Sequence, residues 1–379
     1  MQDDREGQMQ QPQFAATFDA DRSEQFGNRL VDLLNQMGLA LMLGIGHETG
    51  LLDVLARLPP TSSAGIAQAA GLHERYVREW LACLVSAAVV EYAPASQTFA
   101  LPVEHAVWLA HSQPDFTPGG AFPGAAILAE AFACLMEVQP QVMACFRRGG
   151  GVPYSAYSRF HALMAQERNA LFDRILLPSV LPLVPGWGKT LERGAQVADF
   201  GCGRGRVLHL LAQAYPHSHF TGYDISPPEI AQAQTEAEQM GLVNTRFRLA
   251  DVAGLDVAGV YDYALAFDAI HDLAQPEQAL RAIARSLKPG GSLLMQEFAA
   301  SSRLEENLDH PLAAWLYAQS VLYCLTVSLS QGGAGLGCMW GKERALAMLA
   351  QAGFGAVEVK RTTADPYSDY FLARLSTEA

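Results

Sequence analysis

Two rhythms of apolar residues divide the chain. From residue 22, Leu30, Leu33, Leu34, Met37, Leu41 and Leu43 recur at the spacing of one helical face. After Pro59-Pro60, the run Thr61-Ser62-Ser63 offers N-cap oxygens and predicts a short helix over 65–70. Gly71 makes a turn, and 73–90 carries Tyr76, Val77, Trp80, Leu81, Leu84 and Val85 on one face. Residues 89–92 and 98–101, joined by 93–97, read as a hairpin. Helix, turn, helix and hairpin predict a winged helix over 22–112, behind a loose polar tail at 1–21. A connector over 113–188 is punctuated by Pro114, Pro118-Gly119-Gly120, Pro123-Gly124, Gly149-Gly150-Gly151 and Pro153. Between these breaks lie two apolar helical stretches, 125–137 and 157–176. From 189 onward short apolar runs alternate with helices, the rhythm of an α/β domain with a parallel sheet reaching to 379.

Composition narrows the classes. At 379 residues the chain exceeds one ordinary core, and 50% hydrophobic with 17% charged residues can fill two. No uninterrupted apolar run reaches the roughly 18 residues of a bilayer span, so no membrane partner is expected. The polar start lacks the basic flank and apolar centre of a secretory signal. Cys83, Cys134, Cys145, Cys202, Cys324 and Cys338 stand singly, without zinc spacing; no metal is expected, and a reducing, cytoplasmic setting is. A formal charge of −13 opposes a polyanionic partner. The winged helix is itself acidic: residues 1–112 hold six arginines against thirteen acids, and the first lysine is Lys189. Such a module suits packing or homodimerisation better than DNA.

The chemistry begins at 196. An apolar strand over 196–200 leads into Gly201-Cys202-Gly203-Arg204-Gly205 and a helix over 206–215. A glycine turn between strand and helix lets a ligand approach the backbone. A dinucleotide fold would want a small residue where Arg206 stands. Asp199, two residues before the first glycine, suits a cationic ligand instead. A second strand, 219–224, ends in Asp224, placed to accept the hydroxyls of a ribose. A third, 246–251, ends in Asp251, suited to an adenine amino group. A fourth, 261–268, ends in Phe267-Asp268, and a helix over 276–287 leads through Lys288-Pro289-Gly290-Gly291 to a fifth strand at 292–297.

In this order the pieces resemble the class I S-adenosylmethionine-dependent methyltransferases. A helix over 345–352 and strands at 356–363 and 370–375 fit the terminal antiparallel pair of that family. The resemblance implies a Rossmann-like seven-stranded domain over 189–379 and S-adenosylmethionine as cofactor. Asp199, Gly201, Cys202 and Gly203 would line its methionine part, Asp224 and Ile225 its ribose, and Asp251 and Val252 its adenine, with Phe267 and Asp268 alongside. Asp251 also reads as a solvated helix-start carboxylate. His271, in Asp268-Ala269-Ile270-His271-Asp272-Leu273, is similar to the His-Asp pair of winged-helix small-molecule O-methyltransferases, although Leu273 replaces the usual tryptophan. It would be the general base; alternatively it is structural, and alignment alone suffices.

Tyr154, Tyr157, Phe160, His161 and Met164 recur near helical spacing and read as core or as a pocket wall. Residues 331–337, with Met339 and Trp340, read as a lid over the acceptor or as a plain glycine loop. The segments GGGVPYSAYSRFHALMAQE, FDAIHD and CMWGKERALAMLAQAGF resemble an uncharacterised, mycobacterial-type methyltransferase family with a dimerising winged helix. The function expected is methylation of a small-molecule O or N nucleophile. The rivals are a winged-helix regulator that senses S-adenosylmethionine and a methyltransferase-like fold that keeps the cofactor but has drifted to other chemistry.

Overall fold

The computed structural model describes residues 18–110 and 126–375. Most of the expected tail, and the connector breaks from Pro114 to Gly124, lie outside the described residues. The chain opens with α1 (Ala20–Glu48), capped by the Asp19 carboxylate on the Arg22 amide. By length and composition α1 could cross a bilayer. Its C-terminal turns instead sink into the fold, where the missing side chain of Gly46 makes room for Trp80. The Trp80 indole donates to the Met42 carbonyl at 2.7 Å.

Next come α2 (Leu51–Arg57), α3 (Ser63–Ala70), α4 (Glu74–Ser86), a hairpin of β1 (Glu91–Ala93) and β2 (Thr98–Ala100), and α5 (Val103–Leu109). Leu52, Leu55, Ile66, Leu81 and Leu84 are their shared core. The helix expected over 73–90 is shorter, because His73 caps it and Ala88 leaves helical backbone at φ 57°.

Among the described residues, four α-helices lie between the winged helix and the sheet: α6 (Ala126–Met136), α7 (Gln139–Arg148), α8 (Ser158–Ile175) and α9 (Trp187–Arg193). The sheet domain follows as β3 (Gln196–Phe200), α10 (Arg206–Ala214), β4 (His219–Asp224), α11 (Pro227–Gln239), β5 (Thr245–Leu249), β6 (Tyr261–Phe267), α12 (Pro276–Ser286) and β7 (Leu287–Phe298). It ends with α13 (Ala313–Gln319), α14 (Leu325–Ser330), α15 (Lys342–Gln351), β8 (Phe354–Thr362) and β9 (Asp365–Leu375).

The seven strands run β5-β4-β3-β6-β7-β9-β8, parallel as far as β7 and antiparallel through β9. This is the seven-stranded α/β class expected. β7 begins earlier than expected, at Leu287, so the turn Lys288–Gly291 is already strand, tied by Lys288 Nζ to Asp262. Strand order reverses between β3 and β6, and open α/β sheets bind ligands beyond the carboxyl ends of strands at such a point. Apolar clusters cover both sheet faces. A third cluster joins the connector helices to 316–327 through Tyr157, Phe160, Leu163, Leu316, Tyr323 and Val327, and roofs those strand ends.

Candidate functional site

A cavity of about 240 Å³ opens at the switch point. Its floor is made of strand ends and the turns that follow them: Asp199 and Gly201–Gly203 from β3, Phe267, Asp268, His271 and Asp272 after β6, and Phe298 from β7. The roof comes from Tyr154, α8 (Phe160, His161, Met164), α13 and Tyr323-Cys324.

The glycine turn needs its glycines. Gly201 has φ 80°, and a Cβ there would stand 2.5 Å from the Ala269 methyl; Gly203 has φ 50° and faces open space. The Gly203 amide donates to Asp224 Oδ2 at 2.9 Å, and the Ser226 amide to its Oδ1. Arg204 holds Glu229 on α11, and Arg206 holds Asp173 on α8. Asp199 lies behind this turn, 3% exposed, and its Oδ1 has no hydrogen-bond partner among the described residues. Burial, reinforced by the Asp224 charge, pushes Asp199 up to about 7. Burial also raises Asp224, against the pull of the Ser226 and Gly203 amides.

Across the floor, His271 is clamped. Its Nδ1 lies 2.5 Å from Glu297 Oε2, and both groups are buried. The Trp340 indole donates to the same oxygen at 3.2 Å, while the Ile270 amide donates to Oε1 at 3.1 Å. Glu297 is thus an acceptor on every side, which puts a proton on Nδ1 and leaves Nε2 for chemistry. Nε2 lies 3.3 Å from Asp272 Oδ1. Burial alone would lower the histidine, but Glu297, Asp272 and Asp268 outweigh it and hold His271 well above its ordinary value. Burial raises Asp272 to about 6, against the pull of His271. Asp268 sits at φ 54°, a conformation that costs on the order of 1 kcal/mol in a non-glycine residue, and meets Arg168 of α8 at 2.6 Å.

The roof is aromatic. The Tyr154 and His161 rings stack with centroids 3.7 Å apart, and His161 Nε2 lies 3.1 Å from the Tyr323 hydroxyl. Burial, helped by Arg204, depresses His161 to about 4, so the pair is uncharged at neutral pH.

Of the residues singled out from sequence, the cavity gathers Asp199, Gly201, Cys202, Gly203, Phe267, Asp268, His271, Tyr154, Phe160 and Met164. Asp224 touches the glycine turn, with Ile225 exposed beside it. Asp251 is exposed and accepts from the Ala253 amide at 3.0 Å, as the helix-start reading has it; Val252 is buried. Two residues proposed for the pocket wall are elsewhere. Tyr157 is buried in the third cluster with its hydroxyl on the Leu322 carbonyl, and Trp340 is in the core behind Glu297. Both carry a polar atom that found a buried partner, and that drew the ring inward. The 331–337 loop is tethered: Gly333 and Ala334 donate to the carbonyls of Ser328 and Ala274. Glu297, Glu167-Arg168 and Tyr323 were not foreseen. A carboxylate closing an otherwise apolar strand was the available signal for Glu297.

These features test whether S-adenosylmethionine fits. Its ammonium and sulfonium bring positive charge, and the turn presents an orphaned carboxylate oxygen on Asp199 beside Asp224. Gly203 leaves backbone open to a ligand, and Asp224 is held at the end of β4 by backbone amides. They fit.

Sheet order and site define the class, a methyltransferase fold, and comparison with known proteins agrees. Residues 191–353 match the model of a methyltransferase domain, and residues 37–111 match that of an Rv2258c-like winged HTH domain. The chain therefore joins a winged helix-turn-helix to a methyltransferase domain, which implies S-adenosylmethionine as cofactor. Among curated relatives, a trans-aconitate 2-methyltransferase of Methylobacterium nodulans is 34% identical over 32% of this chain and 42% of its own length. A ubiquinone biosynthesis O-methyltransferase of Bordetella avium is 28% identical over 46% of this chain and 70% of its own. The chain spans less than half the length of the first of these. Solved structures cover nearly all of it: human N-acetylserotonin methyltransferase in complex with S-adenosylmethionine (TM-score 0.67, 19% identity, 96% of this chain and 99% of that one). The mitomycin 7-O-methyltransferase MmcR is similar at TM-score 0.65 and 19% identity, over 94% of this chain and 100% of that one. At such identities the likeness is one of fold.

Proposed function

We propose that the protein is a homodimeric, cytoplasmic enzyme that methylates a small-molecule hydroxyl or amine, with His271 as the base. The observation that carries this reading is one cavity holding both the glycine turn with Asp199 and the Glu297-clamped His271. Bound S-adenosylmethionine supplies a methyl group on a positively charged sulfur. The chain's own groups do the rest. Asp199 and Asp224 offer negative charge to the cofactor end. Glu297 fixes the imidazole so that Nε2 can take a proton from the acceptor, a contribution of about 10²–10⁴ in rate. Tyr154, Phe160, Met164 and Tyr323 exclude water from above.

Dimerisation is supported by the exposed apolar edge of α1, where Val31, Leu34, Met37 and Leu41 are each more than half exposed. The six cysteines are free, as suits a reducing compartment. The DNA-binding alternative loses its cations: Arg75 and Arg78 on α4 are paired with Glu79 and Glu74. A labelled-cofactor screen against metabolite extracts tests the reading. A methylated small molecule, absent with His271→Ala, is expected; labelling of protein or nucleic acid alone contradicts it.

A further inference from the structure

We propose that the His271–Asp272 pair holds a proton at rest and sheds it to solvent when positive charge enters the cavity, so that the base is armed only with a charged methyl donor in place. The inference rests on the methyltransferase reading and concerns a different property, the protonation of these two side chains.

The geometry around the ring favours it. Nδ1 faces Glu297 at 2.5 Å and carries a hydrogen, since that carboxylate accepts from Trp340 and Ile270 as well. On the other side Nε2 lies 3.3 Å from Asp272 Oδ1, an oxygen with no hydrogen-bond partner among the described residues. A neutral ring beside an ionised Asp272 would set two lone pairs against each other in a buried site. A proton on Nε2 turns that repulsion into the attraction of an ion pair at 3.3 Å.

The charges packed around the pair favour keeping it. After β6 comes Asp268, and from β7 comes Glu297. α8 contributes Arg168, which is shared between Asp268 at 2.6 Å and Glu167 at 3.4 Å. The π-helical segment Ser320–Cys324 that joins α13 to α14 contributes the Cys324 thiol and the Tyr323 hydroxyl, both neutral because burial raises them. Asp199 lies across the floor, and Arg204 and Arg206 at the rim are paired with Glu229 and Asp173. Carboxylates therefore outnumber free cations, and the proton is the missing counter-charge. A cation entering the same cavity takes over that role, the N–H bond opens, and the proton passes to bulk buffer. An uncharged sulfur at the same place leaves the proton where it is.

Calorimetry tests this without turnover. The full-length protein is titrated with S-adenosylmethionine and with S-adenosylhomocysteine near neutral pH, each in phosphate and in Tris. The dependence of the heat on buffer ionisation enthalpy counts protons. Release on the order of half a proton per site is expected for the sulfonium ligand, with distinctly less for the thioether. Asp199 adds a term common to both ligands, since both carry the same amino-acid group. The difference should vanish in His271→Asn, while the Asp199 term persists. Equal release by both ligands, or binding heat without release, overturns the proposal and leaves the methyltransferase reading standing. No binding heat with either ligand overturns both. Because the ligand contrast is read in the wild-type protein, it does not depend on how the variant folds.

Discussion

The floor of the cavity is built from strand ends and carries charge, whereas its roof is built from helices and, apart from the Glu167–Arg168 pair of α8, carries rings. On the floor, Asp199, Asp268 and His271, with Asp224 and Glu297 directly behind them, sit at the end of a strand or within a few residues of one, and backbone amides or a buried partner fix most of them. On the roof, Tyr154, His161 and Tyr323 hold one another by stacking and one hydrogen bond, and are uncharged at neutral pH. The carboxyl ends of neighbouring strands hold charges in fixed register, so they suit a cofactor and a base that cannot vary. Helices can slide and repack, so they suit the side that meets the acceptor. If that division is right, floor variants lose chemistry or cofactor, and roof variants lose acceptor affinity alone.

The largest break should come from His271→Ala, which is expected to lower turnover roughly 10²–10⁴-fold while cofactor affinity stays within about twofold. A smaller rate loss with a matching loss of affinity would make His271 a structural residue. Asp224→Ala should weaken cofactor binding by about 10–100-fold, the worth of hydrogen bonds to a charged group. Its effect on turnover at saturating cofactor should be slight. Glu297→Gln keeps an acceptor for Nδ1–H and removes the charge that raises His271. The base is active when deprotonated, so the rate rises with pH through its midpoint, and this variant should move the midpoint down. An unchanged pH profile would separate Glu297 from the base.

Roof effects should be smallest. His161→Phe is expected to raise acceptor KM about 3–10-fold with kcat little changed, as for loss of one neutral hydrogen bond. It should also change the acid side of stability. His161 titrates at about 4 when folded and near 6.5 when unfolded, so its contribution is present above the unfolded value and is lost as pH falls toward 4. Melting temperature between pH 6.5 and 4 should therefore fall less in the variant than in the wild type.

The same division explains what was legible in the sequence. The floor announces itself because strand, glycine turn and terminal acid follow one another within single short segments, as in Val197 to Gly205 and His219 to Asp224. The roof is assembled from segments far apart: His161 meets Tyr323 across 162 positions. A stripe at helical spacing cannot say which rings face a cavity, so Tyr154 and Phe160 reached the wall while Tyr157 turned to the Leu322 carbonyl. Trp340 failed for the same reason, since nothing near it in sequence marks Glu297 as its partner. Glu297 itself was readable only as the end of a strand, because its meaning depends on His271, 26 positions earlier.

Cofactor binding is the claim on which the others stand, and a calorimetric titration of the wild-type protein and Asp224→Ala with S-adenosylmethionine tests it most directly. Saturable binding, weakened about 10–100-fold in the variant, is expected. No binding, or the same weak heat in both proteins, would contradict it.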